Sequence, residues 1–359
     1  MVTEQERKLE IIRTWMTSRN LGALFLQTAG SFAWATCGAA SFINRASTNG
    51  LASLLITQEH QYLITTNIEA PRLEKEQQLA ANGWGFQINP WYEAPAAMTQ
   101  LSHGLSLASD GAYPRAQDLS ADLARLRANL TPEEGQRFIN LGKACARAMQ
   151  AACQAVRPGQ TEYQIAAALA AQAEGLGVQA IVNLIATDER IFSYRHPLPT
   201  AKKLEKYAML ILCGRQYGLV CSLTRLVHFG ALPDELTRKM EATARVDAAF
   251  INSTRPGRTL GDIFDKAIHM YAETGYPDEW KKHHQGGTAG YEPREYLSVP
   301  GSTDRVAAGQ VYAWNPSITG YKSEDTILIG DAKNEVLTEM SDWPYLTVDG
   351  INRPAILVV

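Results

Sequence analysis

An internal repeat is the feature of this sequence that most constrains its fold. Residues 157–161 and 255–259 share the pattern Arg-Pro-Gly-x-Thr, at an offset of 98 residues. The same offset aligns Gly177 with Gly275, and further matches lie upstream of both turns. A single shared pentapeptide arises easily by chance, but matches in one register on both sides of it do not. The repeat therefore predicts a domain built from two related halves.

Both halves show the same order of elements. A helical segment precedes the shared turn, and a second amphipathic helix follows it and ends at glycine. Strand-like segments come next, at residues 208–213 in the first half and 309–315 in the second. We expect the strands of both halves to join one sheet, with the helices outside it. A cleft between such halves is the natural place for a ligand.

The N-terminal part of the chain shows a different pattern of predicted helices and strands. A helical pattern covers residues 4–16. Three strand-like segments follow, at residues 22–27, 51–57 and 61–66, and the last two read as a hairpin. After a polar, proline-containing stretch, Thr131 has the properties of a helix N-cap, because proline follows it and glutamate stands three positions on. We therefore predict two domains, residues 1–125 and 126–359.

Composition and charge argue against several classes of binding partner. Lysine and arginine number 34 against 37 acidic residues, which gives a net charge of −3, and no basic run is present, so nucleic-acid binding is not expected. The sequence contains no run of about 18 apolar residues, the length needed to cross a membrane. The charged N-terminus does not resemble a signal peptide. Five cysteines without a C-x-x-C pair argue against a disulfide framework. We expect a cytoplasmic protein.

Residues capable of chemistry concentrate in four segments of the second domain: 194–197, 213–225, 283–295 and 314–326. They contain Arg195-His196-Pro197, then Thr224-Arg225, then His284 followed by Gly287 and Glu292, and finally Glu324-Asp325. The order and spacing of these motifs resemble the pita-bread family, which includes creatinase, aminopeptidase P, prolidase and methionine aminopeptidase. The resemblance covers the whole second domain, and the first resembles the N-terminal domain of the creatinase and prolidase branch.

This resemblance implies an α+β fold. The second domain would have two halves related by a pseudo-twofold axis, with an antiparallel sheet and outer helices. The smaller first domain would be of the creatinase α/β type. The resemblance also implies a homodimer that acts on a small molecule or a short peptide.

The resemblance also implies a set of metal-ligand positions. In the metal-dependent members, five ligands (two Asp, one His and two Glu) hold two metal ions. The matching positions here are Cys213, Ser222, His284, Asn315 and Glu324. Because hard divalent ions require several anionic oxygens, we expect no two-metal centre and no other cofactor. A single zinc ion on Cys213, His284 and Glu324 is the less favoured alternative.

Creatinase provides a metal-free precedent within the resemblance. It hydrolyses a carbon–nitrogen bond with a histidine that donates and accepts the proton, and His196 stands in a similar turn. Histidine suits this role because its pKa lies near neutral pH. We assign catalysis to His196, His284 and Glu324. We assign substrate binding to Arg195, Glu292, Tyr291 and Arg45, the last by resemblance to members in which an arginine of the first domain enters the partner subunit's site.

For several residues next to these candidates, we consider a structural role. We expect His283 to be the exposed neighbour of His284 and Arg225 to be a structural ion-pair partner. For Glu292 and Arg294, an ion pair in the cleft wall is as reasonable as a functional role.

Three hypotheses for the function follow. The leading one is a metal-independent hydrolase of a carbon–nitrogen bond in a small polar substrate. The second is a catalytically inactive pita-bread module that binds a peptide or protein. The third is an Xaa-Pro metallopeptidase. Converging polar side chains in the cleft favour an enzyme over a binding module.

Overall fold

The computed structural model describes residues 2–94 and 96–359. The chain forms two compact units: one extends to Arg127 and includes Tyr217–Leu219, and the other comprises Ala128–Gln216 and Val220–Val359. The main division between the units falls between Arg127 and Ala128. Within the described residues, no helix is both long and apolar enough to span a bilayer.

Helices occur in both units. They are α1 Glu4–Ser18, α2 Ala29–Ala35, α3 Ala70–Lys75, α4 Ala97–Leu101, α5 Ser120–Arg127, α6 Pro132–Ala155, α7 Glu162–Glu174, α8 Glu189–Ser193, α9 Asp234–Ser253 and α10 Leu260–Glu273, with a 3₁₀ helix at Glu279–Lys282. The strands are β1 Ala23–Thr28, β2 Asn49–Thr57, β3 Gln61–Thr66, β4 Gly85–Asn89, β5 Leu107–Ser109, β6 Gln117–Asp118, β7 Gln179–Thr187, β8 Tyr207–Gln216, β9 Leu219–His228, β10 Gly286–Ala289, β11 Tyr296–Leu297, β12 Val311–Trp314, β13 Ser317–Ile318, β14 Tyr321–Lys322, β15 Asp325–Leu328, β16 Glu335–Val336, β17 Tyr345–Val348, β18 Ile351–Pro354 and β19 Leu357–Val358.

The first unit is a mixed sheet with helices. Its strand order is β4-β3-β2-β1-β5-β6. The predicted hairpin is present, because β2 and β3 pair antiparallel with Leu54 opposite Leu63. The predicted first helix is α1, where Thr3 and Glu6 form a reciprocal capping box. Its buried face includes Ile12 and Met16.

The second unit contains two main sheets. Their strand orders are β19-β9-β8-β7 and β11-β10-β12-β15-β16. The single sheet expected from the repeat is therefore divided, and the two parts meet at one bridge, between Thr224 and Glu324. Beside the bridge, the hydroxyl of Thr326 accepts from the backbone N–H of Ser222 and donates to its carbonyl. A side chain thus replaces backbone pairing where β9 meets β15.

The repeated turns have equivalent structures. Thr161 and Thr259 are the N-caps of α7 and α10. The N–H of Gly159 donates to the carbonyl of Leu204, and that of Gly257 donates to Val306 in the same way. Both glycines have positive φ, +88° and +85°, which other residues adopt only with strain. The two halves predicted from the repeat are confirmed at these turns.

The helix predicted after the domain boundary is α6. Thr131 and Glu134 cap each other reciprocally at its N-terminus, as the sequence indicates. In the second half, α9 and α10 pack on the sheet through a cluster of buried apolar side chains. Phe250 stacks on Trp314 with ring centroids 4.5 Å apart. This packing fixes the end of β12, where Asn315 follows.

Candidate active site

Three histidines from two distant segments meet in the second unit. His196 lies in the loop after α8, and His283 and His284 follow the 3₁₀ helix before β10. The Nε2 atoms of His196 and His283 are 3.0 Å apart, within hydrogen-bond range. The ring of His284 stacks on that of His283 at 4.3 Å and lies 5.7 Å from that of His196, measured between centroids. The fold therefore brings His196 and His284 together, with His283 in contact with both.

Buried contacts hold the second segment in place. The side-chain amide of Gln285 donates to the carbonyl of His283 at 2.6 Å and accepts from the hydroxyl of Tyr271 at 2.7 Å. Gly286 has a φ of +108°, and a Cβ atom there would overlap the carbonyl oxygen of Ala313 in β12. The expectation that His283 is merely an exposed neighbour is wrong, because this anchoring turns its half-buried ring toward His196.

An ion pair ties the two histidine segments together. The Nη2 atom of Arg195 donates to Glu279 Oε2 at 2.7 Å and to the hydroxyl of Thr319 at 3.0 Å. Glu279 begins the 3₁₀ helix that leads to His283. The guanidinium of Arg195 thus positions the loop that carries His196. The substrate-binding role assigned to Arg195 stays a prediction.

Glu324 is surrounded by donors and by positive charge. Its Oε2 atom lies 2.8 Å from the Lys322 ammonium and accepts from the Thr224 hydroxyl at 2.7 Å. Its Oε1 atom accepts from Arg294 Nη2 at 3.1 Å. Burial alone would raise the pKa of Glu324, but the charges of Lys322 and Arg294 outweigh it and lower the pKa to about 2. Glu324 is therefore a fixed carboxylate at neutral pH.

Three of the predicted metal-ligand positions carry uncharged side chains: Cys213, Ser222 and Asn315. The hydroxyl of Ser222 donates to Cys213 Sγ at 3.2 Å and accepts from Arg294 Nη1 at 3.3 Å. Burial, together with the charge of Glu324, raises the pKa of the Cys213 thiol to about 11, so that it stays protonated. The backbone N–H of Asn315 donates to the carbonyl of Gln285 at 3.0 Å, beside His284.

The three histidines are uncharged at neutral pH. Burial lowers the pKa of His283 to about 2, and the positive charge of Lys322 adds to the effect. Burial and the charge of Arg294 lower the pKa of His284 to about 4. The side chain of His196 reaches the surface, and its partial shielding from water is the main cause that lowers its pKa. Neutral imidazoles can each donate one hydrogen bond and accept another.

The other predicted binding residues differ in their surroundings. The hydroxyl of the buried Tyr291 contacts Glu134 of α6 at 2.5 Å, which gives it a structural partner. Glu292 is half-buried in the same loop. Arg45 lies on an exposed loop of the first unit, between α2 and β2. The binding roles of these three residues stay predictions.

Asp325 points away from Glu324 and joins a separate buried network. Its carboxylate lies 2.7 Å from Arg225 and 2.7 Å from Arg353, which also reaches Asp247 at 2.6 Å. The structural ion-pair role predicted for Arg225 is confirmed. This network joins β9, α9, β15 and β18 beneath the site.

A small cavity opens beside the histidines. The space that a water-sized sphere can occupy in it is about 10 Å³, room for about one water molecule. Its lining residues are Ile191, Tyr194, Arg195, Met209, His283, Ser317, Tyr321 and Lys322. The lining mixes apolar side chains with a few polar groups, but the space is far below the roughly 300–1,000 Å³ of small-molecule sites.

The comparisons with known proteins agree with this architecture. Residues 136–331 match the model of metallopeptidase family M24, which is more than half of the chain. The chain belongs to this family. An uncharacterized peptidase from Staphylococcus epidermidis is 30% identical over 152 residues, which are 40% of this chain and 43% of that protein. The chain thus matches less than half the length of this relative. An uncharacterized peptidase from Staphylococcus aureus is 24% identical over 253 residues, 68% of this chain and 70% of the relative.

Solved structures share the fold over the whole chain. A prolidase from Thermococcus sibiricus has a TM-score of 0.82 at 14% identity, with 100% of both chains covered. An Xaa-Pro dipeptidase from Bacillus anthracis has a TM-score of 0.80 at 17% identity, over 99% of this chain and 100% of that one. The N-terminal domain of the FACT complex subunit SPT16 from chickpea has a TM-score of 0.69 at 12% identity, over 94% and 96%. The predicted pita-bread fold with an additional N-terminal domain is confirmed.

A pair of hard metal ions does not fit the residues of this M24 chain. Cys213, Ser222 and Asn315 bring no negative charge to the group. Both oxygens of Glu324 are already engaged by cationic side chains, Lys322 and Arg294. The alternative zinc site would use the same oxygens of Glu324, which Lys322 and Arg294 already engage.

Sequence reasoning missed the cationic partners of Glu324. Lys322 stands two residues before Glu324, and alternation along an extended segment would have placed both side chains on one face. Arg294 carried no comparable signal, because 30 residues separate it from its carboxylate partner. From the sequence, we named His283 but wrongly predicted that it is merely an exposed neighbour of His284.

Proposed function

We propose that this chain is a metal-independent hydrolase of a carbon–nitrogen bond in a small polar substrate. The observation that carries the proposal is the 3.0 Å approach of His196 Nε2 to His283 Nε2, near a carboxylate already balanced by Lys322 and Arg294. Converging polar groups of this kind favour an enzyme over a binding module. Membership of a peptidase family supports hydrolysis as the reaction type.

His196 is the proposed acid and base. We assign the tautomer in which its Nε2–H donates to His283 Nε2, which leaves a lone pair on His196 Nδ1. In the reaction, Nδ1 accepts a proton from water, and the oxygen of that water attacks the electrophilic carbon. The imidazolium then returns the proton to the nitrogen as the carbon–nitrogen bond breaks. His283 keeps the ring of His196 oriented.

Arg294 and Lys322 would supply the positive charge that the reaction requires. Together with Glu324 they carry a net charge of +1 in buried surroundings, where electrostatic stabilisation is strong. The Nε atom of Arg294 has no hydrogen-bond partner among the described residues, so this group keeps an unused donor. Negative charge that develops on the substrate during attack would be stabilised here. His284 is assigned to substrate contact next to His283.

The test uses protein freed of metal by dialysis against EDTA. It is incubated with guanidino compounds, cyclic amidines, amides and Xaa-Pro dipeptides, and hydrolysis is followed by proton NMR. We expect turnover of at least one small polar compound without added metal. His196→Ala should lower kcat by about 100-fold or more, in keeping with loss of a general base. His269→Ala, an exposed histidine on α10, is the matched control and should retain activity.

Two results would contradict the proposal. Turnover that appears only after Mn²⁺ or Co²⁺ is added would favour the Xaa-Pro metallopeptidase. Binding of compounds or peptides without turnover, seen by saturation-transfer NMR, would favour the inactive module.

A further inference from the structure

The histidine cluster has a second chemical capacity. His196, His283 and His284 each offer one ring nitrogen, and these three atoms lie within 4.8 Å of one another. Three imidazoles from two chain segments at such a separation are a recognised donor set for a transition-metal ion, with a fourth position left open. His284 is also one of the five metal-ligand positions that the resemblance implies, whereas His196 and His283 are not, and none of the carboxylate-type positions takes part.

The spacing of the donors is close to that of a loaded site. A zinc ion with nitrogen ligands at about 2.0–2.1 Å in tetrahedral geometry holds them roughly 3.4 Å apart. The Nε2 atoms of His196 and His283 are at 3.0 Å, so a small opening would admit an ion between them. The third donor must approach by up to about 1.4 Å, from 4.8 Å to roughly 3.4 Å. His196 is exposed on a loop and can make this adjustment, whereas Gln285 anchors the other two.

Unused ring nitrogens are a second, independent observation. The Nδ1 atoms of His283 and His284 are buried and have no hydrogen-bond partner within the described parts of the chain. Buried polar atoms without partners are uncommon in folded proteins and call for an explanation. Ligation of an ion through Nδ1 of His284 would satisfy that atom, whereas His283 would ligate through Nε2 and its Nδ1 would stay without a partner.

The charge of the surroundings decides which ion would bind. Metal ligation requires neutral imidazole, so protons compete with the ion only as pH falls. Lys322 and Arg294 oppose a dication, and Glu324 offsets only one of their charges. Hard ions such as Mn²⁺ and Mg²⁺, which depend on anionic oxygens, are therefore disfavoured, whereas imidazole suits Zn²⁺.

We propose that His196, His283 and His284 form a Zn²⁺ site and that zinc bound there inhibits the protein. The ion would replace the proton shared by His196 and His283 and would fix the ring of His196 as a ligand. The water-activating geometry would be lost. The inhibitory role rests on the proposed function, whereas the binding of zinc does not.

Binding is tested with the full chain after EDTA dialysis. Zinc is titrated in by calorimetry and by competition with a chromophoric chelator. We expect one Zn²⁺ per chain, no saturable Mn²⁺ binding under the same conditions, and at least about 100-fold weaker zinc binding in both His196→Ala and His283→Ala. His269→Ala removes the exposed His269–Glu273 pair, an alternative zinc donor, and should bind zinc like the wild type. Circular dichroism checks that the variants are folded.

The results separate this inference from the proposed function. Absence of zinc binding, or binding that survives both His196→Ala and His283→Ala, would overturn the metal site and leave the hydrolase proposal intact. Stoichiometric zinc that leaves the measured turnover unchanged would instead show that His196 is not the acid and base, while the binding site itself would stand. Loss of turnover with the same zinc midpoint as binding is the expected result.

Discussion

At the scale of single residues, Glu324 is the best-defined group of the site. It is buried, and each of its oxygens faces a cationic side chain, Lys322 or Arg294. Such a cluster is stable as a unit, but the removal of one partner leaves uncompensated charge in a poorly solvated place. The neighbouring Cys213 and Ser222 are neutral, so they do not compete with Glu324 for these cations.

Glu324→Gln should destabilise the protein through this mechanism. At neutral pH the loss of the buried carboxylate leaves Lys322 and Arg294 without a balancing negative charge. We therefore expect the free energy of unfolding to fall by about 3–5 kcal/mol. The folded pKa of about 2 lies below the usual value of 4.5, so the contribution is complete above pH 4.5 and is lost as pH falls toward 2. Urea unfolding of the wild type and the variant from pH 7 to pH 3 measures this difference.

The matched control is Glu235→Gln. Glu235 also pairs with a lysine, Lys239, but it is exposed on α9, so its substitution should change stability little. A difference between wild type and Glu324→Gln that stays constant down to pH 3 would contradict the assignment.

At the scale of secondary-structure elements, glycines decide how closely segments approach. Gly257 has positive φ in the second repeated turn, and a Cβ atom there would meet nothing within 4 Å. Gly286 has positive φ at the start of β10, and there a Cβ atom would overlap the backbone of Ala313. The first glycine serves backbone conformation alone, and the second also permits the contact that positions His284.

Substitution of the two glycines by alanine separates these roles. Gly257→Ala should cost about 1–2 kcal/mol, the strain of a left-handed conformation. Gly286→Ala adds overpacking against β12, so we expect about 2–5 kcal/mol in total. Chemical denaturation gives both values, and the Nε2 signals of His196 and His283 in nitrogen NMR should shift only in the second variant. Equal costs would show that the close approach of β10 and β12 has no energetic importance.

At the scale of the whole molecule, the assembly state remains a prediction from the resemblance. Arg45 has a role in a site only if a partner subunit provides one. Multi-angle light scattering at micromolar concentrations should give the mass of a dimer, twice 39.5 kDa. A monomer throughout that range would contradict the expectation and would also remove the argument for Arg45.

The sequence by itself determined the elements and their repetition. Helix caps such as Thr131 and turns such as residues 157–161 depend on residues a few positions apart, so their physical causes are visible locally. The four chemical segments could be picked out from the residues themselves, whereas the placement of His196 and His284 in one site followed from the resemblance. The assignment of Glu324 to the site, as a carboxylate in the cleft, also came from the resemblance.

Only the tertiary structure decided how those side chains pair. His283 meets His196 across 87 residues, and Arg294 meets Glu324 across 30. Such pairs depend on where two sheets meet and on the register of β10 against β12, which no local pattern specifies. The division of the sheet at Thr224 has the same cause, since the hydroxyl of Thr326 there takes the place of a backbone partner. Residues a few positions apart determine where helices and turns form, whereas long-range packing determines which charged side chains meet in the site.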